Sequence, residues 1–289
     1  MNHSLFTGVC TALVTPFLDG RVNYPMTERL LHRQVEAGVP AVVIAGTTGE
    51  SSTLSDQEKL MLFRRSKEYV KDDCIIIAGA GSNSTEHCIE LSKAATDTGV
   101  DALLIVAPYY NKCTKSGLIS HYARIAESVN LPVIIYNVPS RTGIDIPEDV
   151  YLELSKIQNI VGVKESSSDI TKIARIRNRC GCDFAIWSGN DDQVIPVMSL
   201  GGQGVISVVS NICPEETVAM VSAALAGDYK LAAALQCGLY PLIELLFCEV
   251  NPVPVKEAMK MIGFDCGDCR LPLGNLSKES QDRLSRYFR

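Results

Sequence analysis

Eight short runs of apolar and β-branched residues recur along the chain, at 9–15, 41–45, 74–78, 102–107, 133–137, 160–164, 184–188 and 204–208. Most are nearly continuous rather than alternating, the pattern of parallel strands covered on both faces. Longer amphipathic stretches at 26–37, 55–70, 85–97, 117–129, 147–156 and 169–178 separate them and predict helices. Their starts carry fitting signals. Ser55 with Glu58 three residues on makes a capping box, and Pro147 is expected at a first helical position. Strand–helix repeated eight times predicts a (β/α)8 TIM barrel. The barrel is expected to occupy residues 1–226, with 227–289 as a C-terminal helical extension: a long apolar-rich helix through Phe247, another over 254–262 and a polar one after Ser277. A doubly wound sheet is the competing architecture, because Gly79-Ala80-Gly81 after a strand begins like a dinucleotide fingerprint. The third glycine of that fingerprint would fall at Ser84, and no acidic residue obviously follows to hold a ribose.

Composition narrows the function classes. With 46% hydrophobic and 21% charged residues among 289, the chain reads as well-buried and globular rather than disordered. The net charge is −6 and no basic run stands out, which argues against nucleic-acid or membrane-surface binding. No apolar stretch reaches the roughly 18 residues that span a bilayer. Met1-Asn2-His3-Ser4 lacks the charged and apolar regions of an export signal, so a soluble cytoplasmic protein is expected. The 11 cysteines are odd in number and read as reduced, mostly buried thiols. Cys266-Gly-Asp-Cys269 has zinc-ligand spacing, but Cys180-Gly-Cys182 is a poor partner and no histidine lies close to either pair. The four histidines, His3, His32, His87 and His121, form no ligand pattern.

In a TIM barrel the chemistry sits at the carboxyl ends of the strands. The second run ends in Gly46-Thr47-Thr48-Gly49-Glu50, which is either an ordinary glycine-rich turn or a loop offering N–H groups and hydroxyls to an anion. The fourth ends in Pro108-Tyr109-Tyr110, and the fifth in Tyr136-Asn137-Val138-Pro139-Ser140-Arg141-Thr142-Gly143. A tyrosine and an arginine there suit proton handling beside anion recognition. The sixth ends in Val163-Lys164-Glu165. Lys164 could snorkel outward or pair with Glu165; in an apolar barrel mouth it would instead be a nucleophile toward carbonyls. The convergence of anion loop, tyrosines, arginine and lysine on one rim favours the nucleophile.

These segments, with Ser188-Gly189-Asn190-Asp191 and Asn251-Pro252-Val253-Pro254-Val255-Lys256, together resemble the dihydrodipicolinate synthase family of pyruvate-dependent class I aldolases, in the right order over essentially the whole chain. The resemblance implies condensation of pyruvate with L-aspartate 4-semialdehyde, through a Schiff base on Lys164, to give 4-hydroxy-tetrahydrodipicolinate, the committed step of diaminopimelate and lysine biosynthesis. Thr47 and Thr48 would hold the pyruvate carboxylate, Tyr136 would relay protons, and Thr48, Tyr136 and Tyr110 would form a hydroxyl chain. Tyr110 would reach across a subunit interface. Arg141 would receive the semialdehyde carboxylate, and Gly189 and Ile206 would line the pocket. No metal or organic cofactor is implied, and a homotetramer built as a dimer of dimers is expected. Another aldolase of the N-acetylneuraminate lyase group, or a catalytically silent ligand-binding barrel, are the alternatives.

The resemblance also bears on regulation. Lysine-sensitive relatives bind lysine at a dimer-interface pocket that corresponds here to Ser51–Lys59, Asn83–His87 and Tyr109. They carry glutamate where His87 stands and histidine where Lys59 stands, so an enzyme insensitive to lysine is expected unless the adjacent Glu86 substitutes.

Overall fold

The computed structural model describes residues 5–289; Met1-Asn2-His3-Ser4, the basis for expecting no export signal, and His3 with them, lie outside the described residues. Strand β1 (Gly8–Ala12) leads into a hairpin, β2 (Phe17–Leu18) and β3 (Arg21–Val22). Asp19 and Gly20, both at positive φ, turn the hairpin, as an Asp-Gly pair favours. The remaining strands are β4 (Ala41–Ile44), β5 (Ile75–Gly79), β6 (Ala102–Val106), β7 (Val133–Asn137), β8 (Ile160–Glu165), β9 (Ala185–Ser188) and β10 (Gly204–Ser207). Strands β1 and β4 to β10 pair in parallel, each with the next in sequence, and β10 returns to β1 to close the barrel. The doubly wound alternative is excluded by that closure.

Alternation along each strand divides the apolar side chains into two shells. Cys10, Val43, Ile77, Leu104, Ile134, Tyr136, Trp187 and Ile206 meet inside the barrel. Val9, Val42, Ile76, Leu103, Ile135, Val163 and Val205 face outward onto the helices. Phe6 stacks on Trp187 inside, with ring centroids 4.7 Å apart. Burying each such aliphatic or aromatic side chain contributes about 1.5–3 kcal/mol before the cost of ordering the chain.

The helices are α1 (Tyr24–Glu36), α2 (Asp56–Val70), α3 (Thr85–Thr96), α4 (Lys115–Glu127), α5 (Pro139–Thr142), α6 (Glu148–Leu154), α7 (Ile170–Cys180), α8 (Val194–Ser199), α9 (Pro214–Leu225), α10 (Tyr229–Leu246), α11 (Val253–Met261) and α12 (Lys278–Tyr287). The capping box at Ser55 and Glu58 is formed in both directions. Pro147 departs from the expectation. It is the N-cap of α6 rather than its first residue, because its ψ of 153° is still extended. The paired glycines after β5 are a packing device: a Cβ on Gly79 would lie 2.3 Å from the Ala45 carbonyl oxygen, and one on Gly81 2.6 Å from Val106 N. Among the described residues, no helix is long and apolar enough to cross a membrane.

Candidate active site

Strand register assembles the site. Tyr136 on β7 pairs with Lys164 on β8, and Lys164 pairs with Trp187 on β9, so these side chains project into the barrel together. Lys164 is 5% exposed and Tyr136 7%. The Lys164 ammonium nitrogen stands 4.3 Å from the centre of the Tyr136 ring, a distance at which a cation is attracted to the ring face. Glu165, the possible partner that adjacency offers, lies on the other face of β8 and is occupied there. Its Oε1 accepts from Asn137 Nδ2 and from Ser167 N, both at 2.8 Å, and its Oε2 accepts from Tyr151 OH at 2.9 Å. Burial pushes the Glu165 carboxyl up, and Lys172, 3.9 Å away, opposes that shift.

The loop after β4 is built around two left-handed residues, Ala45 at φ 52° and Glu50 at φ 57°, which fold it back over the barrel mouth. Thr48 is buried, and its Oγ1 accepts from Asn251 Nδ2 at 3.0 Å. The Asn251 carbonyl in turn accepts from Arg141 at 3.1 Å. One residue of the C-terminal segment thus touches both the threonine loop and the arginine. Below the loop, Glu50 accepts from Lys256 Nζ and from Arg270 N, each at 2.9 Å, in a buried ion pair that holds the loop against α11.

Gly189 donates its N–H to the Glu165 carbonyl at 2.8 Å. A Cβ there would sit 1.9 Å from Ser166 Oγ and 3.0 Å from Lys164 Cε, so a side chain would force Ser166 aside and crowd the lysine. Ile206 is fully buried in the barrel interior and pairs across from Cys10. Tyr110 stands apart. It is 93% exposed, and its φ of 72° is a left-handed setting that a tyrosine adopts only under local constraint. Asp191 is a buried carboxylate that sequence reading passed over as part of a longer motif. Its Oδ2 accepts from Val208 N and Val209 N at 2.8 and 3.0 Å, which fixes the end of β10, and burial pushes its carboxyl up.

Beside the mouth lies a cavity of about 730 Å³ whose wall includes Thr47, Ser51, Asp56, Lys59, Asn83, His87, Tyr109 and Arg141. It brings together the residues singled out for regulation but corrects that reading in one respect. A carboxylate is present, from Asp56, engaged by His87 Nε2 at 2.8 Å and Lys59 at 3.8 Å. Glu86 is elsewhere, paired with Arg124 at 2.6 Å. Cys266 and Cys269 are free thiols, each pushed up to about 12 by burial.

The family model described as the dihydrodipicolinate synthetase family matches residues 5–289. The 4-hydroxy-tetrahydrodipicolinate synthase of Thermoanaerobacter pseudethanolicus is 47% identical over 281 residues, which cover 97% of this chain and 95% of the relative. The one from Acetivibrio thermocellus is 43% identical over 289 residues, covering 100% and 98%. Among solved structures, the dihydrodipicolinate synthase of Aquifex aeolicus superposes with a TM-score of 0.96 at 39% identity, over 98% of this chain and 97% of the other. That of Cyanidioschyzon merolae with lysine bound superposes with a TM-score of 0.95 at 40% identity, with the same coverage.

Proposed function

Because the chain belongs to the dihydrodipicolinate synthetase family, we propose that it condenses pyruvate with L-aspartate 4-semialdehyde to give 4-hydroxy-tetrahydrodipicolinate. The observation that carries this reading is Lys164, a nearly buried amine inside a barrel mouth and set against the face of Tyr136. Lys164 gives up its proton, the amine adds to the pyruvate carbonyl, and the proton returns as water leaves to form the protonated imine. Loss of a methyl proton gives the enamine, whose carbon attacks the aldehyde. The amine of the second substrate then displaces Lys164 by transimination and closes the ring. The protonated imine is the electron sink, so the steps need no further group.

Tyr136 would relay protons during imine formation and carbon–carbon bond formation. Thr47 and Thr48 would bind the pyruvate carboxylate, with Asn251 orienting the Thr48 hydroxyl. Arg141 at the rim suits bidentate capture of the second carboxylate. Gly189 and Ile206 shape the floor by leaving the lysine room and by excluding water. Residues 1–226 would be the catalytic barrel, and 227–289 an extension that supports the threonine loop through Asn251 and Lys256. The assembly would be a dimer of dimers, in which Tyr110, exposed and strained in the single chain, completes the hydroxyl chain of a partner's Thr48 and Tyr136.

Borohydride reduction in the presence of pyruvate tests the reading. Peptide mapping should find the adduct on Lys164, and Lys164→Ala should abolish it. An adduct on Lys112, Lys115 or Lys256 would overturn the assignment.

A further inference from the structure

The outward faces of the two strands that carry Tyr136 and Lys164 hold a buried polar cluster that the proposed reaction does not use. Asn137 follows Tyr136, Glu165 follows Lys164, and the strand register sets Asn137 opposite Glu165 as it sets Tyr136 opposite Lys164. Side-chain alternation turns the first pair outward and the second inward. Glu165 is 3% exposed and Asn137 fully buried. Asn137 Nδ2 donates to Glu165 Oε1 and also to Asp145 Oδ1, both at 2.8 Å, while Asn137 Oδ1 accepts from Ile146 N at 3.1 Å. Tyr151, fully buried on α6, donates to Glu165 Oε2. Lys172, buried on α7, bonds Asp145 and stands 3.9 Å from Glu165.

We propose that Glu165 is a positioning residue for the proposed condensation. It ties β7 to β8 and both to α6 through Asn137, Tyr151 and Ser167, and so holds the Lys164 amine at its setting over the Tyr136 ring. Three observations support this. First, the carboxylate accepts from three separate elements of chain, the end of β7, α6 and the turn after β8, so its loss frees all of them at once. Second, burying a charge this deeply is costly, and packing alone could be served by an apolar side chain of similar volume. Third, the clamp sits one residue beyond each chemical group, where a small change of strand twist moves the groups inside the barrel. Misplacing reacting groups by about 1 Å costs on the order of 100-fold in rate.

The inference rests on the Schiff-base reading of Lys164. The experiment compares wild type, Glu165→Ala, Glu165→Gln and Tyr151→Phe by rapid mixing with pyruvate and timed borohydride quench. It records both the rate constant for adduct formation and the final adduct per chain. Glu165→Ala should slow adduct formation by about 10–100-fold while the final adduct per chain stays near one. Glu165→Gln should restore most of the rate, since its amide oxygen can keep the Asn137 and Ser167 bonds and its NH2 can donate to the Tyr151 oxygen. Tyr151→Phe removes one donor only and should slow the rate several-fold; it serves where Glu165→Ala does not fold. An unchanged rate constant in the folded variants would overturn the proposal. So would a loss confined to the fraction of chains that react, because that is what a purely structural role produces. Absence of any adduct in wild type would instead defeat the Schiff-base reading itself.

Discussion

Replacing Lys256 with methionine should destabilise the protein and loosen the threonine loop. The Lys256 ammonium is 2.9 Å from Glu50 Oε1, and the two side chains are 3% and 0% exposed. The same ammonium donates to the Asp268 carbonyl at 3.1 Å and lies 4.4 Å from the Phe17 ring centre. Methionine keeps most of the volume and removes the charge, which leaves Glu50 buried with the Arg270 N–H and the Cys269 thiol as donors and no cation beside it. Breaking a buried pair from one side costs about 3–5 kcal/mol. An unfolding entropy near 2.1 cal/mol/K per residue, taken over 289 residues, is about 0.6 kcal/mol/K, so the midpoint should fall by about 5–8 °C. Thermal unfolding at one fixed protein concentration measures this. The double variant Glu50→Gln with Lys256→Met removes the stranded charge and should recover at least half of the loss. A fall below about 2 °C in the single variant, or a double variant no better than the single, would refute the reasoning.

Other outcomes follow from the same geometry. Arg141→Ala should raise KM for the semialdehyde far more than it slows imine formation, whereas Tyr136→Phe should slow the chemistry by about 10²–10⁴-fold; steady-state kinetics beside pyruvate trapping separates the two. The Arg270 guanidinium, bonded to Glu58, holds that carboxyl down at about 2 from an ordinary 4.5. A depressed folded-state value means the contribution is present above about 4.5 and fades as the pH falls toward 2, so Glu58→Gln should flatten the acid limb of the stability profile. Its size should be modest because the pair is near the surface. Lysine at about 1 mM should leave the rate unchanged, since Asp56 in the side cavity is already engaged by His87 and Lys59; clear partial inhibition would show that the carboxylate is available to a ligand amine.

The barrel was legible in the sequence because each of its strands is covered on both faces and so reads as an apolar run that helix periodicity cannot explain. Val133–Asn137 and Ile160–Glu165 are examples, and their polar ends announced the rim. The hairpin at Phe17–Val22 escaped because two-residue strands carry no periodicity, although Asp19-Gly20 was a visible turn signal. Gly79-Ala80-Gly81 carried the competing reading, which Ser84 in place of a third glycine already weakened. Glycine spacing alone does not distinguish room for a phosphate from the near-contact with Ala45 and Val106 that requires it here. The start of α6 shows a smaller failure of the same sort, since proline suits both the N-cap and the residue after it.

The part of the site that sequence could not reveal is the part made by contacts between distant residues. Lys164 and Glu165 are adjacent, so their pairing was a fair alternative, yet a strand sends neighbours to opposite faces and the pairing fails on geometry. What Glu165 does instead depends on Asn137 and Tyr151, 28 and 14 residues away. Asn251 reaches Thr48 across 203 residues and Arg141 across 110. Such partners leave no local pattern, because the side chain that satisfies a buried polar group need only be near in space. The requirement itself was foreseeable: a buried hydroxyl such as that of Thr48, and a carboxylate such as Glu50, must find donors. The barrel strands cannot supply them, since their backbone groups are committed to the ladder. The donors therefore come from the C-terminal segment, and a truncation before Asn251 would remove part of the threonine loop's support as well as two helices, α11 and α12.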